Sequence, residues 1–189
     1  MKDLISRRIV LCPIEDKHLP ILYGFRNKPS FIMFCTNRKK EISFQEFCEE
    51  LRHDFQKDRH CQCLIIRKRD NVPIGTIHSY NYNKQDRYAF VTTFINDEFQ
   101  HAGYGAEAVP LFFSFLFHAY HLYKIYTDVY EYNKASLSVI VGSNIFTEEG
   151  RFKKQKLMGR KRYDVIRFAC YQRNLRKISK FLRRINKRS

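Results

Sequence analysis

The spacing of apolar residues predicts one strand and two helices before residue 60. The apolar run over residues 8–12 is ended by Pro13, which predicts a first strand. Apolar positions at helical spacing predict a helix over residues 15–26. A second helix is predicted to begin at Ser43, because Ser43 and Glu46 have the spacing of a capping box and a helical apolar period follows them.

The pattern then changes to that of β-structure. Residues 61–66, 74–82 and 88–95 are short stretches rich in apolar, β-branched and aromatic side chains, and the second of them alternates. Turn-forming residues separate them at 70–73 and 83–86. Three strands in succession at this spacing predict an antiparallel meander.

The second half of the chain begins with a glycine-containing segment, and a strongly apolar stretch through Leu122 follows it. The length of that stretch predicts a buried helix. The pattern then predicts a strand over 124–130, a short helix over 133–144 and a β-hairpin over 150–171. No repeat or linker interrupts this order, so we expect one α+β domain over 1–172, followed by a basic tail over 173–189.

The distribution of charge along the chain also distinguishes its C-terminal part. The 189 residues include 35 Lys+Arg and 19 Asp+Glu, a formal net charge of +16. Residues 151–189 hold 16 basic side chains and one acid, Asp164, whereas residues 1–150 are nearly neutral. Such asymmetry favours an anionic partner over 151–189, such as nucleic acid, a nucleotide-linked substrate or a membrane surface. The other interpretation is a solvated tail that contributes only solubility.

Composition also limits the class of protein. No apolar run approaches the roughly 18 residues that span a bilayer, so we expect no transmembrane segment. The N-terminal residues carry no apolar secretory segment. The six Cys lack zinc-finger spacing, and Cys61 and Cys63 are at alternate positions of a predicted strand, so no metal site is expected. Reduced thiols and a cytoplasmic location are the expectation.

The segment 100–106 has the chemistry of a phosphate site. Gly103 and Gly105 allow a tight turn whose N–H groups point into one concavity, and the helix that begins there adds a partial positive charge. The glycine spacing and context differ from those of a Rossmann loop or a P-loop. Taken alone, the motif is also compatible with an ordinary strand-to-helix turn.

Three short motifs at the junctions of predicted elements carry a resemblance to a known family: Gln100-x-x-Gly103-x-Gly105, Asn133-x-x-Ser136, and Glu148-Glu149-Gly150 ahead of the closing Tyr163-Asp164. With the order of elements over residues 8–171, they resemble the GCN5-related N-acetyltransferases (GNAT). They are most similar to the branch typified by ribosomal-protein N-terminal acetyltransferases.

The resemblance implies a mixed, mostly antiparallel sheet, flanked by helices, that splays between its fourth and fifth strands at 88–95 and 124–130. It implies acetyl-CoA as co-substrate, bound in the V between those strands. The implied contacts are the main chain of Phe94 and Ile95 for the pantetheine arm, residues Gln100, His101, Ala102, Gly103, Tyr104, Gly105 and Ala106 for the pyrophosphate, and Asn133 with Ser136 toward the far end of the cofactor.

The proton-transfer residues depart from the family pattern. Many members use a carboxylate on the fourth strand as base and a Tyr about seven residues after the Asn as acid. Here residues 88–95 contain no carboxylate, and the second position is Ile140. The candidates that remain are His78, Tyr80, Glu131 and Ser143. For each, the other interpretation is a structural role, in which case positioning and water relays support the reaction.

The implied activity is direct transfer of an acetyl group from acetyl-CoA to a primary amine in a ternary complex, without a metal. The expected acceptor is a small or anionic amine, of the amino-sugar nucleotide type, or a protein N-terminus. The basic hairpin over 151–162 favours an anionic acceptor. The alternative, from a different class, is a catalytically degenerate GNAT-fold protein that binds RNA or a protein partner through its basic C-terminal quarter.

The tail over 173–189 has the pattern of a basic amphipathic helix. Leu175, Ile178, Leu182 and Ile185 recur at steps of three and four among basic residues. Four interpretations follow from this pattern: docking on the protein's own core or on a second subunit of a homodimer, binding of RNA or the ribosome, binding of an anionic membrane, and disorder.

Overall fold

The computed structural model describes residues 4–36, 40–57 and 59–187. Its strands are β1 (Leu4–Ile5), β2 (Ile9–Pro13), β3 (Arg59–Arg67), β4 (Val72–Asn83), β5 (Tyr88–Ile95), β6 (Lys124–Tyr130), β7 (Thr147–Met158) and β8 (Lys161–Tyr171). Its α-helices are α1 (Leu19–Arg26), α2 (Pro29–Phe34), α3 (Phe44–Lys57), α4 (Tyr104–Ala119), α5 (Lys134–Gly142) and α6 (Leu175–Lys187).

The eight described strands form one mixed sheet in the order β1-β2-β3-β4-β5-β6-β8-β7. Every neighbouring pair is antiparallel except β5 and β6, which run parallel. The predicted fold class is thereby confirmed. The predicted fourth and fifth strands are β5 and β6, with the same end residues.

The sequence analysis did not predict the two short elements β1 and α2. The strand β1 has two residues and α2 has six, too few for an apolar period to be recognised. Pro29, at the first position of α2, is a start signal that the sequence does carry. The helix predicted over 15–26 begins only at Leu19, after one 3-10 turn over Asp16–His18.

Helix α3 begins as its capping box predicts. The amide of Glu46 donates to Ser43 Oγ over 3.2 Å, and the amide of Ser43 donates to the Glu46 carboxylate over 2.7 Å. Phe47 and Leu51 then lie on the buried side of the helix, where they share an apolar cluster with Phe94 of β5. Helices α1 to α3 thus cover one face of the sheet, called here the α1–α3 face.

Helix α4 covers the opposite face, called here the α4 face. The fully buried side chains Phe112 and Leu116 belong to the cluster formed with this face of the sheet. Ile178 of α6 is also fully buried in that cluster, and Leu182 packs against it. Of the four interpretations of the C-terminal pattern, docking on the protein's own core is therefore the one that the structure shows. The division of the chain at residue 172 stays a prediction.

A close approach between β4 and β5 fixes the position of β5. Gly75 of β4 is paired with Ile95, and a Cβ atom on Gly75 would lie 2.1 Å from the carbonyl oxygen of Phe94. Only glycine permits this approach without displacement of the backbone. It holds the second half of β5 close to β4 where β5 has left β6.

Candidate active site

The strands β5 and β6 are paired along only part of their length. Tyr88, Ala89 and Phe90 are registered with Lys124, Ile125 and Tyr126, and the pairing stops there, although β5 continues to Ile95 and β6 to Tyr130. Backbone N–H and C=O groups beyond this point lose their partner strand and require another one. The structure therefore contains the splayed V that the resemblance implies.

Alternation along β5 decides which main-chain groups face the V. The amide of Asn96 donates to the carbonyl of Ile74, and the carbonyl of Phe94 points at Gly75, so these even-numbered residues bond toward β4. The main chains of Thr93 and Ile95 point the other way, into the opening. The carbonyl oxygen of Ile95 accepts a hydrogen bond there from Gln100 Nε2 over 3.0 Å.

This placement puts the main chain of one predicted contact residue on the side of β5 away from the V. The main chain of Phe94 bonds toward β4, and its ring packs on Phe25 and Phe31 at centroid distances of 5.6 and 5.2 Å. The main chain of Thr93, which the sequence analysis did not select, faces the V beside Ile95. The signal for Thr93 was available in principle, since successive residues of a strand bond to opposite sides.

The loop after β5 forms a concavity of backbone N–H groups. His101 and Gly103 have positive φ angles of 60° and 79°, and Gly103 is the N-cap of α4. The first main-chain bond of the helix runs from Glu107 N to Gly103 O, so the amides of Tyr104, Gly105 and Ala106 lie in the first turn without intrahelical partners. Such a helix N-terminus suits a phosphate group. In this respect the loop fits a pyrophosphate.

Arg8 holds this loop from outside it. Its Nη1 donates to the carbonyl of Ala102 over 2.9 Å, and its guanidinium lies 4.7 Å from the centre of the Tyr104 ring. Its Nε donates over 2.8 Å to Glu107, which is fully buried in the first turn of α4. Burial raises the pKa of Glu107, but hydrogen bonds from Ser6 and Arg8 outweigh it and lower the pKa below its usual value. One carboxylate thus joins the N-terminal segment to the loop.

Tyr80 and His78 lie on the α1–α3 face beside the V. They are registered with Phe90 and Thr92 of β5, and cross-strand partners share a face. His78 is buried, and its ring centre is 5.8 Å from that of Tyr80. Burial raises the pKa of Tyr80, although a hydrogen bond with Thr92 opposes the shift. The structure therefore brings these two candidates together at the point where the strands part.

An ion pair that the sequence analysis did not select faces them across the V. Arg167 of β8 donates from two nitrogens to the two carboxylate oxygens of Asp128 of β6, both over 2.8 Å. The guanidinium also lies 4.7 Å from the centre of the Phe90 ring and 5.0 Å from that of Phe152. The pair lines the α1–α3 face of the V with polar groups among aromatic rings.

The other two proton-transfer candidates, Glu131 and Ser143, form local bonds that stabilise the fold. Glu131 Oε2 accepts from the amide of Asp164 over 3.1 Å and so ties the end of β6 to β8. Ser143 is exposed at the C-cap of α5, where its hydroxyl donates to the carbonyl of Ile140 over 2.7 Å. Their side chains are engaged in these local bonds, whereas those of His78 and Tyr80 lie at the V.

Asn133 and Ser136 form the start of α5. Asn133 is the N-cap residue, and its Oδ1 accepts from the amide of Ser136 over 3.1 Å. The spacing in Asn-x-x-Ser is therefore that of a helix cap. Because α5 follows β6 directly, the cap lies near the end of β6, at the open end of the V.

The β7–β8 hairpin extends beyond the same end. Tyr130, the last residue of β6, is registered with Val165, so the residues of β8 before Val165 and the hairpin turn lie past it. Lys156 of β7 bonds to the carbonyl of Thr36 over 3.1 Å and to Tyr130 Oη over 3.2 Å. The hairpin thereby reaches the segment after α2 and covers one side of the V.

Comparison with known proteins identifies the family. The model of the GNAT acetyltransferase domain matches residues 8–142, more than half of the chain. The chain therefore belongs to the GNAT acetyltransferase family, and the predicted family and enzyme class are confirmed. No curated protein sequence matches the chain significantly.

Solved structures of the family share the fold. A spermidine N-acetyltransferase from Vibrio cholerae, in complex with CoA and spermine, is 20% identical, with a TM-score of 0.78 over 89% of this chain and 98% of that one. The ribosomal L7/L12 α-N-protein acetyltransferase RimL, in complex with CoA, is 17% identical, with a TM-score of 0.78 over 90% and 98%. A GNAT acetyltransferase from Bacillus anthracis is 16% identical, with a TM-score of 0.74 over 91% and 99%.

Within the described ranges, no helix has the length and apolar character needed to cross a membrane. The cytoplasmic location and the homodimer stay predictions.

The bonds of Arg8 lead to a prediction about cofactor affinity. Arg8→Lys keeps the charge but loses the planar fork that joins Glu107 to the Ala102 carbonyl. We expect the Kd for CoA, measured by calorimetry, to rise about tenfold, the effect of losing roughly one charge-assisted hydrogen bond. Arg7→Lys, at an exposed neighbouring position, is the control and should leave the Kd unchanged. Equal Kd values for both variants would show that Arg8 does not support the loop.

Proposed function

We propose that this protein transfers the acetyl group of acetyl-CoA directly to a primary amine. The observation that carries the proposal is the combination of an open V between β5 and β6 with a phosphate cradle at its open end. The main chains of Thr93 and Ile95 would bond to the amide groups of the pantetheine arm. The amides of residues 101–106 would hold the pyrophosphate.

The chemistry follows from these positions. Acetyl-CoA supplies an activated acetyl group as a thioester. The neutral amine attacks the thioester carbonyl from the α1–α3 face, where the side chains at the V are polar. A C–N bond forms and the C–S bond breaks, the nitrogen loses its surplus proton to solvent, and the CoA thiolate takes up a proton. Main-chain N–H groups of β5 facing the V would stabilise the oxyanion.

Tyr80 is the residue that we assign to protonation of the thiolate. Its raised pKa keeps the hydroxyl protonated, and its hydrogen bond with Thr92 holds it beside β5. The ring of Tyr80 lies 5.6 Å from that of Phe90, which in turn lies 4.7 Å from the Arg167 guanidinium, so Tyr80 is near the Asp128–Arg167 pair. These contacts support Tyr80 as a proton donor on the face from which we propose that the amine arrives.

The charge of the hairpin supports an anionic acceptor. Residues 151–162 carry seven Lys and Arg and no acid. Arg151 and Lys153 pair with Asp164, and Lys156 is held by Thr36 and Tyr130. Lys161 and Arg162 are exposed at the start of β8, past the end of β6. An amine that carries a phosphate or carboxylate would be attracted to this rim, and a polyamine would be repelled.

A panel of amines tests the function and the acceptor class together. We expect release of CoA thiol only when an amine is present, with kcat/KM at low ionic strength at least about tenfold higher for amino-sugar nucleotides than for spermidine. Added salt should reduce that advantage. Lys161→Gln with Arg162→Gln should reduce it too, whereas Lys84→Gln, in the β4–β5 turn, should not.

Two results would contradict these proposals. Binding of CoA without thiol release for any amine would favour the degenerate protein that serves only in binding. Thiol release that is faster with spermidine than with anionic amines would leave the reaction in place and overturn the acceptor class.

The role of Tyr80 has its own test. Tyr80→Phe removes the hydroxyl and keeps the ring, so we expect kcat to fall about 100-fold, within the range for general acid catalysis, with little change in the Kd for CoA. Tyr82→Phe is the matched control, since Tyr82 lies on the same strand but packs against Tyr120 and the core of the α4 face. A normal kcat for Tyr80→Phe would exclude the hydroxyl as the donor.

A further inference from the structure

We propose that α6 carries a binding surface for the phosphodiester backbone of nucleic acid, separate from the active site. The surface consists of seven exposed cations on α6 and the turn before it, and it is called here the basic stripe: Arg173, Arg176, Lys177, Lys180, Arg183, Arg184 and Lys187.

The helical period aligns these cations. Arg176, Lys180, Arg183 and Lys187 follow one another at steps of four, three and four, so they form a line along one side of the helix. At a rise of 1.5 Å per residue that line is about 16 Å long, close to five phosphate-to-phosphate steps of about 3.4 Å along one strand of a duplex. The other three cations lie beside this line.

The charges of the stripe are not neutralised locally. No Asp or Glu occurs after Asp164 in the sequence. Within the part of the chain that the structure describes, no stripe residue lies in an ion pair with a carboxylate. Lys177 donates to the carbonyl of Asn144, and Arg173 lies over the ring of Tyr171. Such a line of cations attracts a polyanion, which releases counterions when it binds.

The position of the apolar residues favours nucleic acid over a membrane surface. A helix that binds a bilayer interface buries its apolar side among the lipid chains. Here Ile178 is fully buried against the core, and Leu175 and Leu182 pack there too. Phe181 is the large apolar side chain of α6 that remains exposed, at 41%. The surface left to a partner is thus mainly cationic, with Ile185 half-buried at its edge, and one exposed ring could stack on a base.

The basic stripe and the polar side chains on the acceptor side of the V lie on different faces of the sheet. Helix α6 packs on the α4 face, whereas Tyr80 and the Asp128–Arg167 pair lie on the α1–α3 face. Nucleic acid on the stripe would therefore leave the acceptor side open. For this reason the inference does not depend on the proposed acetyl transfer, and its test does not use enzyme activity.

Fluorescence anisotropy of labelled 20-nucleotide single strands, RNA and DNA in separate arms, tests the proposal with the full-length protein. With about four phosphate contacts, the logarithm of the binding constant should fall with the logarithm of the salt concentration with a slope of about −3. Arg176→Gln with Lys180→Gln and Arg183→Gln should weaken binding at least about tenfold and bring the slope to about −1.

Two controls separate a surface effect from a loss of structure. Arg176→Lys with Arg183→Lys keeps the charges and should keep both affinity and slope. Lys17→Gln with Arg52→Gln and Lys84→Gln removes the same net charge from exposed positions outside α6 and should change the affinity less than twofold. Circular dichroism should show the same melting temperature for wild type and for the substituted α6.

Three results would contradict the proposed nucleic-acid surface. If the α6 triple variant and the control triple variant lost the same amount of affinity, the effect would depend on net charge alone and not on the basic stripe. Absence of binding to either nucleic acid at 50 mM salt would overturn the proposal. Binding to vesicles with phosphatidylserine, or to an acidic peptide, in preference to both nucleic acids would also overturn it.

Discussion

The early end of the pairing between β5 and β6 is the constraint on which the rest of the site depends. Each of these strands is held along its length by an antiparallel neighbour, β5 by β4 and β6 by β8. They meet over three registered pairs and then part. Gly75 strengthens the hold of β4 on β5 where no larger residue would fit. The V is thus a property of the sheet, and the loop after β5 adds the unpaired amides of the first turn of α4 at its open end.

The main-chain groups suited to the cofactor and the excess positive charge lie in different parts of the structure. The groups suited to acetyl-CoA are main-chain amides in the V and in the first turn of α4, and they require none of the net charge of +16. The excess charge lies on the β7–β8 hairpin and on α6. The hairpin rims the V, and α6 packs on the α4 face, so the basic C-terminal quarter forms two separate surfaces, for which we propose different partners.

Local patterns were sufficient for the elements that position the site. The strand composition over 88–95 and 124–130, the capping box at Ser43 and the glycines at 103 and 105 each act over a few residues. Contacts between distant segments were not predictable in this way. Arg8 meets Glu107, and Asp128 meets Arg167, only because strand register brings them together. The bond from Asp164 to Glu131 likewise gives a structural role to a residue that sequence alone made a catalytic candidate.

Amide hydrogen exchange, followed by NMR with and without CoA, tests the V most directly. The amides of Thr92 and Phe94 bond to β4, so they should exchange slowly in the free protein and remain slow. Those of Thr93 and Ile95 face the V, so they should exchange fast in the free protein and become protected with CoA, together with amides of residues 101–106. Protection by CoA elsewhere, with Thr93 and Ile95 unchanged, would contradict this account of where the cofactor binds.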